Sequence, residues 1–129
     1  MAGKIDALQE RYKYFSERDL EHTLDLWTDD FLWDGDDAGI PGSGRHEGKQ
    51  AATAVLIEAA SAYDKLDLDP QEFVEDGDTV VVLGYQDIAK DDRSARLPFV
   101  HIWRYRGEQI CGVRIASETL TTAKVLGII

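Results

Sequence analysis

The feature that most constrains the fold is a series of alternating strands, joined by short turns, that fills the second half of the chain. Side chains alternate between the two faces of a strand, so residues 94–105 carry one apolar row with a single ionisable group. That row consists of Ala95, Leu97, Phe99, His101, Trp103 and Tyr105. The turn sequences D-G-D at 76–78, K-D-D-R at 90–93 and R-G-E at 106–108 separate strands at 79–89, 94–105 and 109–117. Three successive hairpins indicate an antiparallel, strongly curved sheet.

The first strand of this series is predicted to lie at an edge or to contain a bulge. Leu66 and Leu68 alternate with charged residues up to Pro70, and the alternation resumes at Phe73. Proline has no amide proton to donate to a neighbouring strand, so it is confined to edges and bulges.

Three helices are predicted before the sheet. Apolar residues at spacings of three and four are typical of a helix with one buried face. They indicate a first helix at 4–17 (Ile5, Leu8, Tyr12, Phe15), a second capped by Asp19 (Leu20, Leu24, Trp27) and a third at 49–63 (Ala52, Val55, Leu56, Ala59, Tyr63).

A long loop is predicted at 34–48, after a short aromatic strand at 31–33. The loop contains five of the eleven glycines and the first proline, which makes regular structure improbable. The lysine and hydroxyl residue of a phosphate-binding P-loop are absent after these glycines. We therefore expect this loop to form a lid or rim.

Length and charge limit the class of protein. A chain of 129 residues with 43% hydrophobic residues is expected to form a single domain over 1–129. Its formal net charge of −11 disfavours nucleic acid and anionic membrane surfaces as partners. The first residues lack the apolar core of a signal peptide and no run approaches the ~20 apolar residues of a membrane span, so we expect a cytoplasmic protein.

Metals and cofactors are not expected. Cys111 is the only cysteine, and the three histidines have no partners at the spacing of a zinc site. Asp34, Asp36 and Asp37 offer oxygen ligands for a cation in a metal-dependent hydrolase, but the regular spacing of a calcium loop is missing.

Five short segments resemble the nuclear-transport-factor-two-like (NTF2-like) superfamily, which includes ketosteroid isomerase, limonene epoxide hydrolase and the SnoaL-like polyketide cyclases. They are R-D-L at 18–20, L-W-T-D-D at 26–30, G-K-Q-A-A at 48–52, V-E-D-G-D-T-V at 74–80 and H-I-W-R at 101–104. The resemblance covers nearly the whole chain. It implies an α+β fold in which a cone-shaped, curved antiparallel sheet wraps over three N-terminal helices and encloses one cavity. It also implies a homodimer through the outer sheet face.

The resemblance places the family's functional positions on different residue types in this chain. The catalytic tyrosine of ketosteroid isomerase falls on Arg11, its general-base aspartate on Gly35 and its oxyanion-hole acid on His101. Tyr12 adjoins the first of these positions, whereas Asp34 and Asp36 flank the second. The acid/base aspartate of the SnoaL-like cyclases falls on Ile115, an aliphatic residue, which disfavours that mechanism.

Four residues are candidates for proton transfer. His101 is placed on a cavity wall by the resemblance, and imidazole ordinarily titrates near neutrality; the alternative is a neutral core histidine bonded to a backbone carbonyl. Asp34 faces outward on strict alternation, so Asp36 is the better carboxylate only if the chain bulges, and either could simply be solvated. Glu118 is interpreted as a cavity-rim acid or a helix cap.

The remaining candidates would bind an apolar ligand. Alternation directs Trp33, Phe99 and Trp103 inward, and together with Tyr12 and Val113 they would favour a flat apolar molecule. One hypothesis is an isomerase, cyclase or dehydratase that moves a proton next to a carbonyl group. The alternative is a non-catalytic ligand-binding or dimerisation module of the same fold.

Overall fold

The computed structural model describes residues 3–129. Over these residues the helices are α1 Lys4–Ser16, α2 Leu20–Thr23, α3 Lys49–Ser61 and α4 Thr119–Leu126. The strands are β1 Trp27–Asp34, β2 Arg45–Glu47, β3 Lys65–Asp76, β4 Thr79–Lys90, β5 Arg93–Arg106 and β6 Gln109–Ser117. The predicted α+β class is confirmed. None of the helices in residues 3–129 has the length and apolar character needed to cross a membrane.

The strands form one curved sheet in the order β2-β1-β6-β5-β4-β3. The three predicted hairpins are confirmed, because β3, β4, β5 and β6 pair antiparallel in succession. The sheet is nevertheless mixed rather than wholly antiparallel, since β1 pairs parallel to β6. Short hairpin turns determine only the pairing of consecutive strands, and β1 reaches β6 from a distant part of the chain.

A bulge and a glycine bend the sheet on its β3 side. β3 is an edge strand, and its register against β4 shifts between Pro70 and Glu72, as the proline predicted. Opposite the bulge, a Cβ on Gly84 would clash with the carbonyl oxygen of Asp69 and lie 3.0 Å from the Phe99 ring. Glycine therefore lets the strands approach closely at the point where the sheet curves around the cavity.

The second helix is shorter than the sequence predicts. The Asp19 side chain accepts a hydrogen bond from the His22 amide, so the predicted cap is confirmed. However, α2 is a single turn, and Trp27 lies in β1 rather than on a helical face. The Trp27 ring stacks on Phe31 at 3.8 Å between centroids, and this burial holds both residues in the strand.

The predicted loop contains a short strand. Residues of β2 pair antiparallel with the end of β1, with Trp33 opposite His46. The intervening turn folds back over the sheet, because the Trp33 Nε1 proton is donated to the Gly42 carbonyl at 2.8 Å. The segment at 35–44 is therefore held against the sheet as a wall.

The core lies between the helices and the concave face of the sheet. Leu8 and Tyr12 of α1 pack with Phe31, Val82 and Phe99 in the main cluster. A second cluster of Ile88, Leu97 and Val125 lies beneath α4. The cavity predicted by the resemblance is bounded by residues from both regions.

Candidate active site

An apolar cavity of about 140 Å³ lies between α1, α3, α4, the 35–44 segment and the sheet. Six of the nine predicted site residues line it, namely Tyr12, Trp33, Asp36, His101, Trp103 and Val113. Asp34, Phe99 and Glu118 do not belong to its wall. Of the inward row of β5, His101 and Trp103 reach the cavity, where Tyr12 of α1 and Trp33 of β1 join them.

Three side chains form a hydrogen-bonded group in the cavity wall. The Tyr12 hydroxyl and His101 Nδ1 share a hydrogen bond of 2.6 Å, and Trp103 Nε1 donates to the same hydroxyl at 3.0 Å. Tyr12 and His101 are both buried, at 8% exposure each. The indole and the imidazole therefore hold the phenol of α1 against β5.

This group presents one hydrogen-bond donor to the cavity in either histidine tautomer. With the proton on Nδ1, His101 and Trp103 both donate to the Tyr12 oxygen, which leaves the phenol proton free to point into the cavity. With the proton on Nε2, Tyr12 donates to His101 and the Nε2 proton is available instead. Nε2 has no hydrogen-bond partner among the described residues and is not fully buried, so it borders the cavity that His101 lines.

Burial keeps both groups uncharged. The apolar surroundings lower the pKa of His101 to about 3 and raise the pKa of Tyr12 far above its ordinary value, although the Trp103 hydrogen bond partly opposes that rise. The expectation that this imidazole titrates near neutrality is therefore revised, because its charged form would lose hydration without gaining an anionic partner. At pH 7 the pair is a neutral hydrogen-bonding unit.

We expect His101 to show no imidazole titration between pH 8 and pH 5 when its ring resonances are followed by NMR. His22 is the internal control, because its hydrogen bond to Asp19 raises the pKa of that exposed imidazole. Because the folded pKa of His101 is lowered, its contribution to stability is complete above about pH 6.5 and is lost as the pH falls toward 3. A His101 midpoint above pH 6 would contradict a buried, neutral imidazole.

Asp36 is the carboxylate of the cavity wall among the described residues. Its Oδ2 accepts a hydrogen bond from the Ser117 amide at 3.1 Å, and its carbonyl accepts one from Gly44 at 3.1 Å. The strand β1 ends at Asp34, and Asp36 reaches the cavity because the loop beyond the strand folds back. The end of β6 fixes this carboxylate in place.

The other two predicted carboxylates lie elsewhere. Asp34 is the last residue of β1, in register with Arg45 on one side and Arg114 on the other. Glu118 caps α4, because its side chain accepts the Thr121 amide proton at 2.9 Å. Hydrogen bonding to the Thr121 side chain, and to a smaller extent to its backbone amide, lowers the pKa of the Glu118 carboxyl. Phe99 is buried behind the wall, where its ring stacks on His101 at 4.1 Å.

The fold excludes a side chain at Gly35, the position where the resemblance to ketosteroid isomerase would place the general base. A Cβ at this residue would clash with the Gly42 carbonyl oxygen, which is the acceptor for Trp33. Any carboxylate at position 35 would displace the loop. The carboxylate of this cavity therefore comes from the next residue along the chain.

Sequence reasoning missed several polar residues of the cavity, among them Gln86 and Tyr63. Gln86 lies on the same face of β4 as the buried Val80, Val82 and Ile88. The alternation of that strand contains this signal, since a polar side chain interrupts an otherwise apolar inward row. Tyr63 was assigned to helix three, but it follows the end of α3.

The acidic loop does not form a metal centre. Within residues 3–129, no three or more His, Cys, Asp or Glu side chains converge in a way that would hold a metal ion. Asp36 bonds to Ser117, and Asp37 is exposed.

A curved sheet and helices around an apolar cavity define a ligand-binding or isomerase-type domain of the NTF2-like fold. Residues 8–113 match the model of the SnoaL-like domain, and the chain belongs to that family. This match confirms the NTF2-like superfamily that the five short segments predicted.

Solved structures agree with this assignment. An NTF2-like protein of unknown function from Burkholderia pseudomallei is 27% identical, with 98% of each chain covered and a TM-score of 0.87. TerC, crystallised with polyporic acid, is 26% identical over 96% of this chain and 98% of its own, with a TM-score of 0.85. A protein of ketosteroid isomerase-like fold from Catenulispora acidiphila is similar in fold alone, at 11% identity over 95% and 92% of the two chains and a TM-score of 0.79. No curated protein matches the sequence.

Proposed function

We propose that the protein binds a small apolar carbonyl compound and moves a proton next to its carbonyl group, as an isomerase, cyclase or dehydratase does. The observation that supports this most directly is the neutral Tyr12–His101 donor in an apolar cavity whose wall also carries Asp36. A hydrogen-bond donor in apolar surroundings stabilises the negative charge that develops on a carbonyl oxygen. A carboxylate beside it is a suitable base.

The sheet register supports a productive distance between the donor and the base. Ser117, which holds Asp36, pairs with Phe99, two residues along β5 from His101. Two residues of a strand span roughly 7 Å. A ligand whose carbonyl oxygen bonds to Tyr12 or His101 would extend its α-carbon toward Asp36 across this interval.

The proposed step is an enolisation. The α-carbon–hydrogen bond breaks, its proton moves to the Asp36 carboxylate, and its electron pair forms the enolate double bond while charge moves to the carbonyl oxygen. Return of the proton to a different carbon gives an isomer. Departure of a β-hydroxyl group with the proton gives a dehydration, and attack of the enolate carbon on a second carbonyl gives a ring.

The cavity volume favours a compact ligand over a four-ring steroid. An engineered apolar cavity of about 150 Å³ binds benzene, and the cavity here is about 140 Å³. A four-ring steroid is several times larger than benzene and would require the cavity wall to rearrange. The co-crystallisation of TerC with polyporic acid supports an organic ligand for this chain as well.

Exchange of the α-protons of 2-tetralone in D2O tests this proposal without knowledge of the natural substrate. 2-Tetralone is a two-ring ketone, and its loss of α-proton signal is followed by NMR at constant buffer concentration and pH. We expect the protein to accelerate this loss above the rate in buffer. Equal rates with and without protein would overturn the catalytic part of the proposal.

A non-catalytic dimerisation module is the second candidate function, and the outer face of the sheet favours it. Val74 and Tyr85 are exposed there, at 54% and 43%. Val81 of β4 pairs with Val74 of β3 on one side and with Ile102 of β5 on the other. These residues form an apolar strip across three strands. A second copy of the chain would cover this strip.

We expect light scattering to give twice the chain mass of 14.4 kDa. We expect Ile102→Lys to weaken the dimer at least about 30-fold, because the lysine charge would lie within the apolar contact. Ile57→Lys is the matched control, since Ile57 is an exposed isoleucine of α3. A monomer at all concentrations, or equal effects of the two substitutions, would contradict this interface.

A further inference from the structure

The cavity has a second polar region, formed by the side chain of Gln86. This residue lies on β4 opposite Leu68 of β3 and Leu97 of β5. It lines the cavity and is partly buried, yet its amide makes no hydrogen bond with any residue in 3–129. Its oxygen and nitrogen are not fully buried, so both stay accessible and are free to bond to a ligand in the cavity.

Tyr63 adds a hydroxyl group to the same end of the cavity. Its ring packs against the cluster that contains Ile88 and Leu97. Ile88 is the next inward-facing residue after Gln86 on β4, and Leu97 pairs with Gln86 from β5. Burial raises the pKa of the Tyr63 phenol, so the hydroxyl stays protonated. Like the Gln86 amide, this hydroxyl has no hydrogen-bond partner among the described residues.

The two polar regions are separated along the strands. His101 pairs with Val82, whereas Gln86 pairs with Leu97, four residues away on both strands. Four residues of a strand span roughly 13 Å. This separation of the backbone positions leaves room between the two regions for a fused two-ring molecule with an oxygen atom at each end.

We propose that Gln86 and Tyr63 form a binding subsite for a hydroxyl or carbonyl group at the end of the ligand remote from the reacting carbonyl. This inference rests on the proposed function, and it narrows the ligand class to compact two-ring molecules with oxygen functions at both ends. Gln86 offers both a donor and an acceptor and Tyr63 offers a hydroxyl. Arg11 is the cationic side chain of the described cavity wall, and it is already bonded to Asp25. The subsite therefore favours an uncharged hydroxyl or carbonyl group of the ligand.

Two fluorescent probes test the subsite. 2-Naphthol carries one hydroxyl group, and 2,6-dihydroxynaphthalene carries one at each end of the same ring system. We expect the diol to bind the unmodified protein about tenfold more tightly, because one added hydrogen bond contributes roughly a factor of five and the symmetry of the diol contributes a further factor of two.

Gln86→Leu is expected to reduce that ratio to between about twofold and fivefold, because the Tyr63 hydroxyl remains, while the dissociation constant of 2-naphthol changes by less than about twofold. Gln71→Leu is the matched control, because Gln71 is exposed on β3 and outside the cavity wall, and it is expected to keep the tenfold ratio. The side-chain amide signals of Gln86, assigned by their loss in Gln86→Leu, are expected to shift with the diol and not with 2-naphthol.

The two proposals fail in different ways. Tight binding of 2-naphthol, combined with a diol ratio that Gln86→Leu does not change, would overturn the subsite and leave the proposed function standing. Failure of both probes to bind, with no shift of the Gln86 amide signals, would overturn ligand binding in this cavity and the subsite together.

Discussion

Replacement of Asp36 by Asn is expected to slow the exchange of 2-tetralone α-protons by about 10²–10⁴-fold, the usual contribution of a positioned general base. Asn has nearly the same shape, and its oxygen can still accept the Ser117 amide proton that holds Asp36 in place. The substitution therefore removes the proton acceptor and keeps the loop. The measurement is the exchange rate by NMR, together with the free energy of unfolding.

The neighbouring residue supplies the control for this experiment. Asp37→Asn removes the same charge from an exposed position of the same loop, and we expect its exchange rate to equal that of the unmodified protein. Glu118→Gln is expected to affect only stability, because Glu118 caps α4. An Asp36→Asn variant with full exchange activity would exclude Asp36 as the base.

Replacement of Tyr12 by Phe is expected to lower the same exchange rate by about 10²-fold, the lower end of the range for loss of one donor to a developing oxyanion. His101 limits the loss, since its Nε2 proton can still reach the cavity. The substitution also removes the partner of Trp103 Nε1, so the free energy of unfolding must be measured beside the rate.

Tyr14→Phe is the matched control, because Tyr14 lies on the same helix and its ring packs near His22 instead of the cavity. The double variant Tyr12→Phe/His101→Gln tests whether the pair acts as one unit. If it does, the double variant should lose much less than the product of the two single effects. Independent, multiplicative effects would show that each residue contacts the ligand separately.

Much of the fold could be predicted from the sequence, because the signals are local. Turn sequences between alternating strands predicted the hairpins of β3 to β6, and Pro70 predicted the bulge of the edge strand. The parallel pairing of β1 with β6 was not predictable from turns, since those strands are far apart in the chain. Trp27 was placed in a helix because its spacing suits one, whereas stacking on Phe31 decides its conformation.

The candidate site was only partly accessible to sequence reasoning. Alternation placed Trp33, His101 and Trp103 inward, and the structure brings all three to the cavity wall. Gln86 was overlooked although its strand was predicted, because an inward polar residue carries meaning only once the apolar surroundings are known. The roles of these residues in binding or catalysis stay predictions.

The sequence by itself determined the superfamily, the curved sheet and the side of β5 on which His101 lies, because periodicity and short motifs are properties of neighbouring residues. Only the tertiary structure decided that His101 is neutral, that Tyr12, 89 residues away, is its hydrogen-bond partner, and that Asp36 is the cavity carboxylate. The reason is physical: a pKa and a hydrogen bond depend on solvent exclusion and on groups from other elements. Those groups meet only when α1 and the 35–44 segment close over the sheet that contains β5 and β6.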